Sequence, residues 1–225
     1  MRLKKQAMVL LFSFTCLAGQ AQGYDSSYRN SYYEQKVSQF RLLPKAKKEI
    51  IFLGDSITDI GEWIELWKNR RVRNRGISSD NTFGVLARLD EVTSRNPAKI
   101  FLLIGINDIA RNIPDSVILR NYARIVQRIR TESPRTRLYV QSILPTNSAF
   151  SEYKNHQNKT DHIAWLNAQL RSLCKRTEAI FVDLHSAFAD GEGKLDRQYT
   201  NDGLHLTGAG YRHWQAFLEK NGYLN

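Results

Sequence analysis

Four short apolar runs, separated by stretches of helical periodicity, constrain this chain more than any other feature of its sequence. Residues 49–54 (EIIFLG), 99–104 (KIFLLI), 137–143 (RLYVQSI) and 179–183 (AIFVD) are rich in β-branched and aromatic side chains, and three of the four lack clean alternation. Strands buried on both faces have that composition. Residues 72–75 read as a weaker additional strand. Between the runs, apolar residues recur at helical spacing: Phe83, Leu86, Leu89 and Val92; Val117, Ile118, Tyr122, Ile125 and Ile129; Ile163, Leu166, Leu170 and Leu173; Tyr211, Trp214 and Leu218. Strands that alternate with helices, joined by right-handed crossovers, predict an α/β fold of three layers, α/β/α, around a central five-stranded parallel sheet. No internal repeat and no linker rich in Pro, Gly or Ser interrupts the pattern, so residues 49–225 read as one domain. Residues 22–48 form an N-terminal extension in which Tyr33, Val37 and Phe40 make a single helical stripe, suited to packing on the domain's edge.

The first residues have a different character. Arg2, Lys4 and Lys5 precede an apolar run from Ala7 to Leu17, too short to cross a hydrocarbon core of about 30 Å. Gly19-Gln20-Ala21 offers the small residues that a signal peptidase reads, so residues 1–21 are expected to be a cleaved signal peptide, with the mature protein periplasmic or extracellular. Ser13, Phe14 and Thr15 are poor neighbours for lipidation of Cys16, and anchoring there is not expected. Cleavage leaves Cys174 alone, without a disulfide partner, as a small buried hydrophobe on a helix. No later segment has 18 apolar residues in a row, so no transmembrane span is predicted. The formal charge of +11 comes from dispersed residues, among them Lys45, Lys47, Lys48, Arg70, Arg71, Arg73 and Arg75. Without a recognisable binding module they read as solvated faces rather than a nucleic-acid site, while attraction to acidic glycans stays open.

In open α/β sheets the working site lies outside the carboxyl ends of the strands. Those ends carry Gly54-Asp55-Ser56-Ile57-Thr58, Asn74-Arg75-Gly76 and Gly105-Ile106-Asn107-Asp108, and Asp202-Gly203-Leu204-His205 precedes the last helix. Ser56, at a strand-to-helix turn, can project its hydroxyl at the sheet's edge, but serine is a weak nucleophile unless a base takes its proton. His205 fits that role, and Asp202, three residues earlier, is placed to fix its tautomer. The N–H groups of Ser56 and Gly76 and the side-chain amide of Asn107 are three candidate donors to a developing oxyanion. Each residue also has a plain structural use: Ser56, Thr58, Asn107 and Asp202 as caps, Gly76 in a turn. His185, two residues after Asp183, rivals His205 by spacing alone. His156, His162 and His213 read as ordinary loop or helix-surface residues. No HExxH or clustered Cys/His spacing points to a metal, and no GxGxxG or GxxxxGK[ST] to a phosphate loop.

Taken in order, Gly54-Asp55-Ser56, Gly76 within Asn74-Arg75-Gly76-Ile77, Gly105-Ile106-Asn107-Asp108 and Asp202-Gly203-Leu204-His205 resemble the four blocks of the GDSL/SGNH hydrolase family. The resemblance runs from about Ile50 to Tyr211. Leu204-His205-Leu206-Thr207 with Gly208, Gly210 and Tyr211 is similar to the acetylhydrolase branch, which includes the platelet-activating factor acetylhydrolase subunits and carbohydrate O-acetylesterases. The resemblance implies a flavodoxin-like fold and hydrolysis of esters without a metal or other cofactor. By position it makes Ser56 the nucleophile, His205 the base and Asp202 its orienter, with Ser56, Gly76 and Asn107 at the oxyanion hole. It also decides for His205 over His185. The second block departs from the pattern: relatives often read Gly-Ile-x-Gly-Asp-Thr-Thr, and here Ser79 stands in place of the second glycine. The implied substrate is a short-chain, acetyl ester of a sugar or glycan. Asp55, Tyr199 and Leu204 are expected to touch it, and Asn147, Tyr153, Asn155 and His156 offer a polar and aromatic set nearby. A lysophospholipase, arylesterase or thioesterase activity, and a glycan-binding module without turnover, are the alternatives.

Overall fold

The computed structural model describes residues 23–224. The leader expected over residues 1–21, Cys16 included, lies outside the described residues. The chain runs through α1 (Ser31–Leu42), β1 (Ile50–Gly54), α2 (Ser56–Asp59), α3 (Trp63–Trp67), β2 (Val72–Gly76), α4 (Thr82–Ala87), α5 (Leu89–Thr93) and β3 (Lys99–Leu103). It continues through α6 (Ile106–Ala110), α7 (Asp115–Glu132), β4 (Arg137–Gln141), α8 (Thr160–Thr177), β5 (Ile180–Val182), α9 (Leu184–Phe188) and α10 (Gly208–Lys220). The five strands form one parallel sheet in the order β2-β1-β3-β4-β5. The order reverses between β1 and β3, so the loops after these two strands diverge and open a crevice at their carboxyl ends.

Every residue of β1 and β3 is buried, which is why both read as unbroken apolar runs. β2 read weakly for a different reason. As an edge strand it carries Arg73, Asn74 and Arg75, whose polar groups bond to Glu49, to the Asp59 and Gly61 carbonyls, and to Glu91. The two faces of the sheet are chemically distinct. In register across β1, β3 and β4, Phe52, Phe101 and Tyr139 stack with centroids 4.9 and 4.5 Å apart, and Trp63 of α3 lies 4.2 Å over Phe52. Trp214 of α10 closes this layer edge-on to Trp63. The alternating residues Ile51, Leu53, Ile100, Leu102, Leu138 and Val140 point the other way, toward the layer made by α4, α5, α7 and α8.

Two expectations need correction or refinement. The stripe Phe83, Leu86, Leu89 and Val92 suggests one helix, but the chain breaks at Arg88, which joins α4 to α5 with φ −112°. The buried Arg88 guanidinium reaches Asp80 and the Gly54 carbonyl, and this turns the backbone; Phe83 and Leu86 are left only half-buried while Val85, Leu89 and Val92 enter the core. The edge helix α1 is present, capped by Asn30, and it buries Tyr33, Val37 and Phe40 against Ile77 in a small cluster of its own. The Tyr33 hydroxyl donates to the Gly84 carbonyl, and Lys36 pairs with Asp59 at 2.7 Å, so α1 braces both the segment that follows β2 and the end of α2. Cys174 is buried on α8, and burial pushes its thiol up to about 11. Among the described residues no helix is long and apolar enough to cross a membrane.

Candidate active site

The first wall of the crevice is built where β1 ends. Gly54 has no space for a side chain, since a Cβ would lie 2.2 Å from the Leu103 carbonyl oxygen, so only glycine lets β1 and β3 run this close. Asp55 then caps α2, its Oδ1 accepting from the Ile57 N–H at 3.0 Å, and Ser56 takes the first helical position. An N–H there has no acceptor inside the helix. Asp55 does not contact the cleft as expected: it is 1% exposed, and burial, reinforced by the nearby Asp80 and Asp108, pushes its carboxyl up to about 8. It is a buried cap that sets the angle at which Ser56 leaves the strand.

The second wall is the loop after β2. Gly76 is required by space, since a Cβ would fall 2.1 Å from the Asp59 nitrogen. Its N–H, however, donates to Asn74 Oδ1 at 2.8 Å, and Gly76 does not line the cleft. That corrects its expected place among the oxyanion donors. Ser78 and Ser79 line the cleft instead. Ser79 adopts φ +67°, the left-handed conformation that glycine takes readily, so the loop keeps the backbone shape of the glycine pattern. Among the described residues neither the Ser56 nor the Ser79 N–H has a protein acceptor.

Buried carboxylates anchor this loop. Asp80 binds Arg88 and the Asn81 N–H, and burial pushes it up to about 6 against the pull of Arg88. Asp108 accepts from the Thr82 N–H and hydroxyl, Asn121 donates to that same hydroxyl, and burial pushes Asp108 up to about 7. Asn107 sits beside Asp108 on α6, after Gly105 at φ +114°. Its Nδ2 donates to the Asp80 carbonyl at 2.8 Å, and its Oδ1 lies 3.0 Å from His156 Nε2.

The third wall comes from residues 196–207. Asp202 Oδ1 accepts from the N–H groups of Leu204 and His205, while Oδ2 meets His205 Nδ1 at 2.8 Å. His205 Nε2 lies 2.9 Å from Ser56 Oγ. Since a carboxylate only accepts, it holds the proton on Nδ1 and leaves the Nε2 lone pair toward the serine. Partial burial opposes the charge of Asp202, but the two N–H groups and the His205 ring outweigh it and hold its pKa below the ordinary value. Thr200 Oγ1 accepts from the Gly203 N–H, and the Gly203 carbonyl takes the Asn147 N–H at 2.8 Å, which ties the loop to the segment after β4. A hydroxyl, imidazole and carboxylate bonded in series is an arrangement able to turn the hydroxyl into a nucleophile.

Together the walls enclose a cleft of about 450 Å³ lined by Ser56, Asn107, His205 and Leu204, with Tyr153, His156 and Asn201 on its rim. Leu204 is part of that lining. Tyr199 is not: its ring stacks on His213 at 4.4 Å, its edge meets Phe188, and its hydroxyl reaches His213 Nδ1, so it fastens α10 instead of touching the cleft. Asn147 is buried with its amide on the Leu195 carbonyl, and Asn155 faces solvent. His162 bonds to Asp115 on the surface, and Asp183 and His185 line a separate hollow with Arg171. His156, expected both as an ordinary loop residue and as one of the polar set near the substrate, lines the cleft and bonds to Asn107, a contact that spacing did not reveal. Its position in a loop that leaves the carboxyl end of β4 was the available signal. Tyr153, at φ +49°, sets its ring edge-on over His205 with centroids 4.8 Å apart. Next to the cleft, and sharing Ile60 and Leu206 with it, runs an apolar groove of about 550 Å³ completed by Leu66, Tyr211, Glu62, Glu65 and Arg212.

A family model described as the GDSL-like Lipase/Acylhydrolase family matches residues 52–213. The platelet-activating factor acetylhydrolase IB subunit alpha2 of Rattus norvegicus is 26% identical over 169 residues, which span 72% of this chain and 71% of that relative. A GDSL-like lipase from Bacteroides thetaiotaomicron superposes with a TM-score of 0.73 at 25% identity, covering 84% of this chain and 96% of the other. An acetyl xylan esterase shares the fold at a TM-score of 0.63 and 20% identity, over 77% of this chain and 98% of its own.

Proposed function

This chain belongs to the GDSL-like lipase/acylhydrolase family and is an ester-hydrolysing enzyme, and from that premise we propose that it is a serine esterase that cleaves acetyl esters of a carbohydrate through Ser56. The observation that carries the reading is the unbroken series from Ser56 Oγ to His205 Nε2 at 2.9 Å and from His205 Nδ1 to Asp202 at 2.8 Å, opening on a cleft. In this mechanism Ser56 Oγ attacks the ester carbonyl as its proton passes to His205 Nε2. The oxyanion is met by the Ser56 and Ser79 N–H groups and by the second hydrogen of Asn107 Nδ2, the first being held by the Asp80 carbonyl. His205 then gives its proton to the departing alcohol, leaving an acyl-Ser56 enzyme. His205 finally takes a proton from water as that water attacks the acyl carbonyl, and returns it to Ser56 Oγ as the C–Oγ bond breaks and the acid leaves. Asp202 stays ionised throughout and stabilises the imidazolium.

The short acyl preference is supported by the acetylhydrolases among the relatives, and the sugar alcohol by a rim of Ser78, Asn201, Tyr153 and His156, side chains that hydrogen-bond or stack. Export through the leader of residues 1–21 completes the proposal. The apolar groove beside Ile60 and Leu206 favours a second reading, in which a longer acyl chain or an aryl group lies there.

The deciding experiment measures hydrolysis of p-nitrophenyl acetate and of an acetylated glycan mixture, beside Ser56→Ala and with chelator present. Turnover that survives chelator and vanishes in Ser56→Ala is expected; turnover retained by Ser56→Ala overturns the mechanism. A series of p-nitrophenyl esters separates the two substrate readings, because a peak beyond six carbons selects the groove.

A further inference from the structure

His156 belongs to neither the nucleophile nor its base, yet it lines the cleft and bonds to a residue that the proposed mechanism uses. The orientation of the Asn107 amide decides what that bond does. An amide can be turned over without a change of shape, and only its partners fix which end is nitrogen. The Asp80 carbonyl accepts and so demands Nδ2; Oδ1 is thereby left facing His156 Nε2, and because Oδ1 can only accept, Nε2 must carry the proton. The ring then has its single neutral-form proton on Nε2 and a bare Nδ1. That Nδ1 is buried with no hydrogen-bond partner among the described residues. An unpaired buried nitrogen disfavours this placement of the ring, so something else must hold it there.

The loop after β4 does so. Tyr153 takes a left-handed backbone conformation, its carbonyl accepts the His156 N–H at 2.8 Å, and its ring stands edge-on to both His156 and His205. Thr146 Oγ1 donates to the His156 carbonyl, and Gln157 Nε2 ties back to Phe150 and Glu152. Burial, with the neighbouring His205 and Arg111, lowers the pKa of His156, which favours the neutral ring.

We propose that His156 is a positioning residue for the oxyanion site: its Nε2–H holds Asn107 Oδ1 so that the amide cannot turn over and Nδ2 stays aimed into the cleft. The inference rests on the esterase reading above. A turned amide would present an oxygen to the oxyanion, replacing a donor with a repulsive acceptor.

The test measures kcat and KM for p-nitrophenyl acetate with His156→Phe and His156→Leu, which lose the donor, and His156→Gln, whose amide nitrogen can replace it. Each is made in the natural chain and in Asn107→Ala. The donor-less variants are expected to lose about tenfold in kcat with KM within about twofold, and His156→Gln to recover most of it. In Asn107→Ala, already slowed by about 10²-fold or more, His156→Phe should add nothing, since its target is gone. Unchanged kcat in the donor-less variants, a loss confined to KM, or a full further drop in Asn107→Ala overturns the proposal. Where one donor-less variant does not fold, as read by thermal unfolding, the other carries the measurement. Should Ser56→Ala retain turnover in the same assay, the esterase reading fails and this inference fails with it; turnover lost in Ser56→Ala but untouched at His156 overturns the inference alone.

Discussion

The two sides of the cleft are built on opposite principles. On the Ser56 side, Asp55, Asp80 and Asp108 are almost wholly buried; Asp55 caps its own turn, but Asp108 reaches Thr82, 26 residues away, and the Arg88 that Asp80 holds reaches the Gly54 carbonyl, 34 residues away. On the His205 side, Asp202 organises its own neighbours: it accepts from residues two and three positions later and bonds the ring in the same turn. One side is held by the fold and the other largely by itself. Damage to the first should therefore reach stability and catalysis together, whereas damage to the second should reach catalysis almost alone.

The largest effects test whether the sides act as one machine. Ser56→Ala and His205→Ala should each lower kcat by about 10⁴- to 10⁶-fold, and the double variant should be no slower than either; multiplying losses would mean that the two residues do not share a step. The sharpest test of the contrast pairs two carboxylates. Asp202→Asn is expected to cost about 10³- to 10⁴-fold in kcat, by analogy with serine proteases, with the melting temperature within about 2 °C. Asp108→Ala leaves the Thr82 N–H and hydroxyl without their acceptor and should cost about 2 kcal/mol, lowering the melting temperature by roughly 4–8 °C. Equal melting losses in the two would erase the distinction.

A smaller effect is confined to the Ser56 side and depends on pH. Asp55 keeps its proton in the folded protein up to about pH 8 and releases it near 3.8 when unfolded. Folding therefore takes up a proton between those values, and stability from this group is complete below about pH 4 and is lost as pH rises toward 8. The melting temperature of the natural chain, measured relative to Asp55→Asn, should fall steadily from pH 5 to pH 8; a flat difference would show that Asp55 ionises in the folded state. The smallest effect is at Ser79, whose left-handed backbone glycine would relieve. Ser79→Gly should raise stability by up to about 1 kcal/mol in thermal unfolding and leave kcat within about threefold.

The same contrast explains what the sequence made legible. β1 and β3 stood out because burial on both faces leaves apolar residues at almost every position, Lys99 at the start of β3 excepted, and Asp202 and His205 because their contact is local. Contacts made across the fold left weaker traces. Nothing near Arg88 signals a helix break, because its partners, Asp80 and the Gly54 carbonyl, come from before the helix and from another strand. Gly76 looked like an oxyanion donor because its residue type is demanded there, but the demand is for space against Asp59, and its N–H is already taken by Asn74. Tyr199 looked like a substrate contact because it precedes Asp202; its stacking partner, His213, lies 14 positions later and only the folded chain brings them together. Spacing favoured His205 over His185 only slightly, and the choice needed the family resemblance. His156 was legible only as one of a polar set near the substrate; its bond to Asn107 was not, because the two are 49 residues apart.

Ser56 and His205 are separated by 149 positions, and α10, which carries Trp214 onto the aromatic face, begins only three residues after the histidine. During synthesis Ser56, the proposed nucleophile, leaves the ribosome long before His205, its proposed base, and Phe52 and Trp63 precede the Trp214 that covers them. The base and that cover arrive in one stretch of chain, so an unfinished polypeptide that stops short of it has neither a working serine nor a closed core. In the proposed mechanism, the order of translation thus ties hydrolytic activity to completion of the fold.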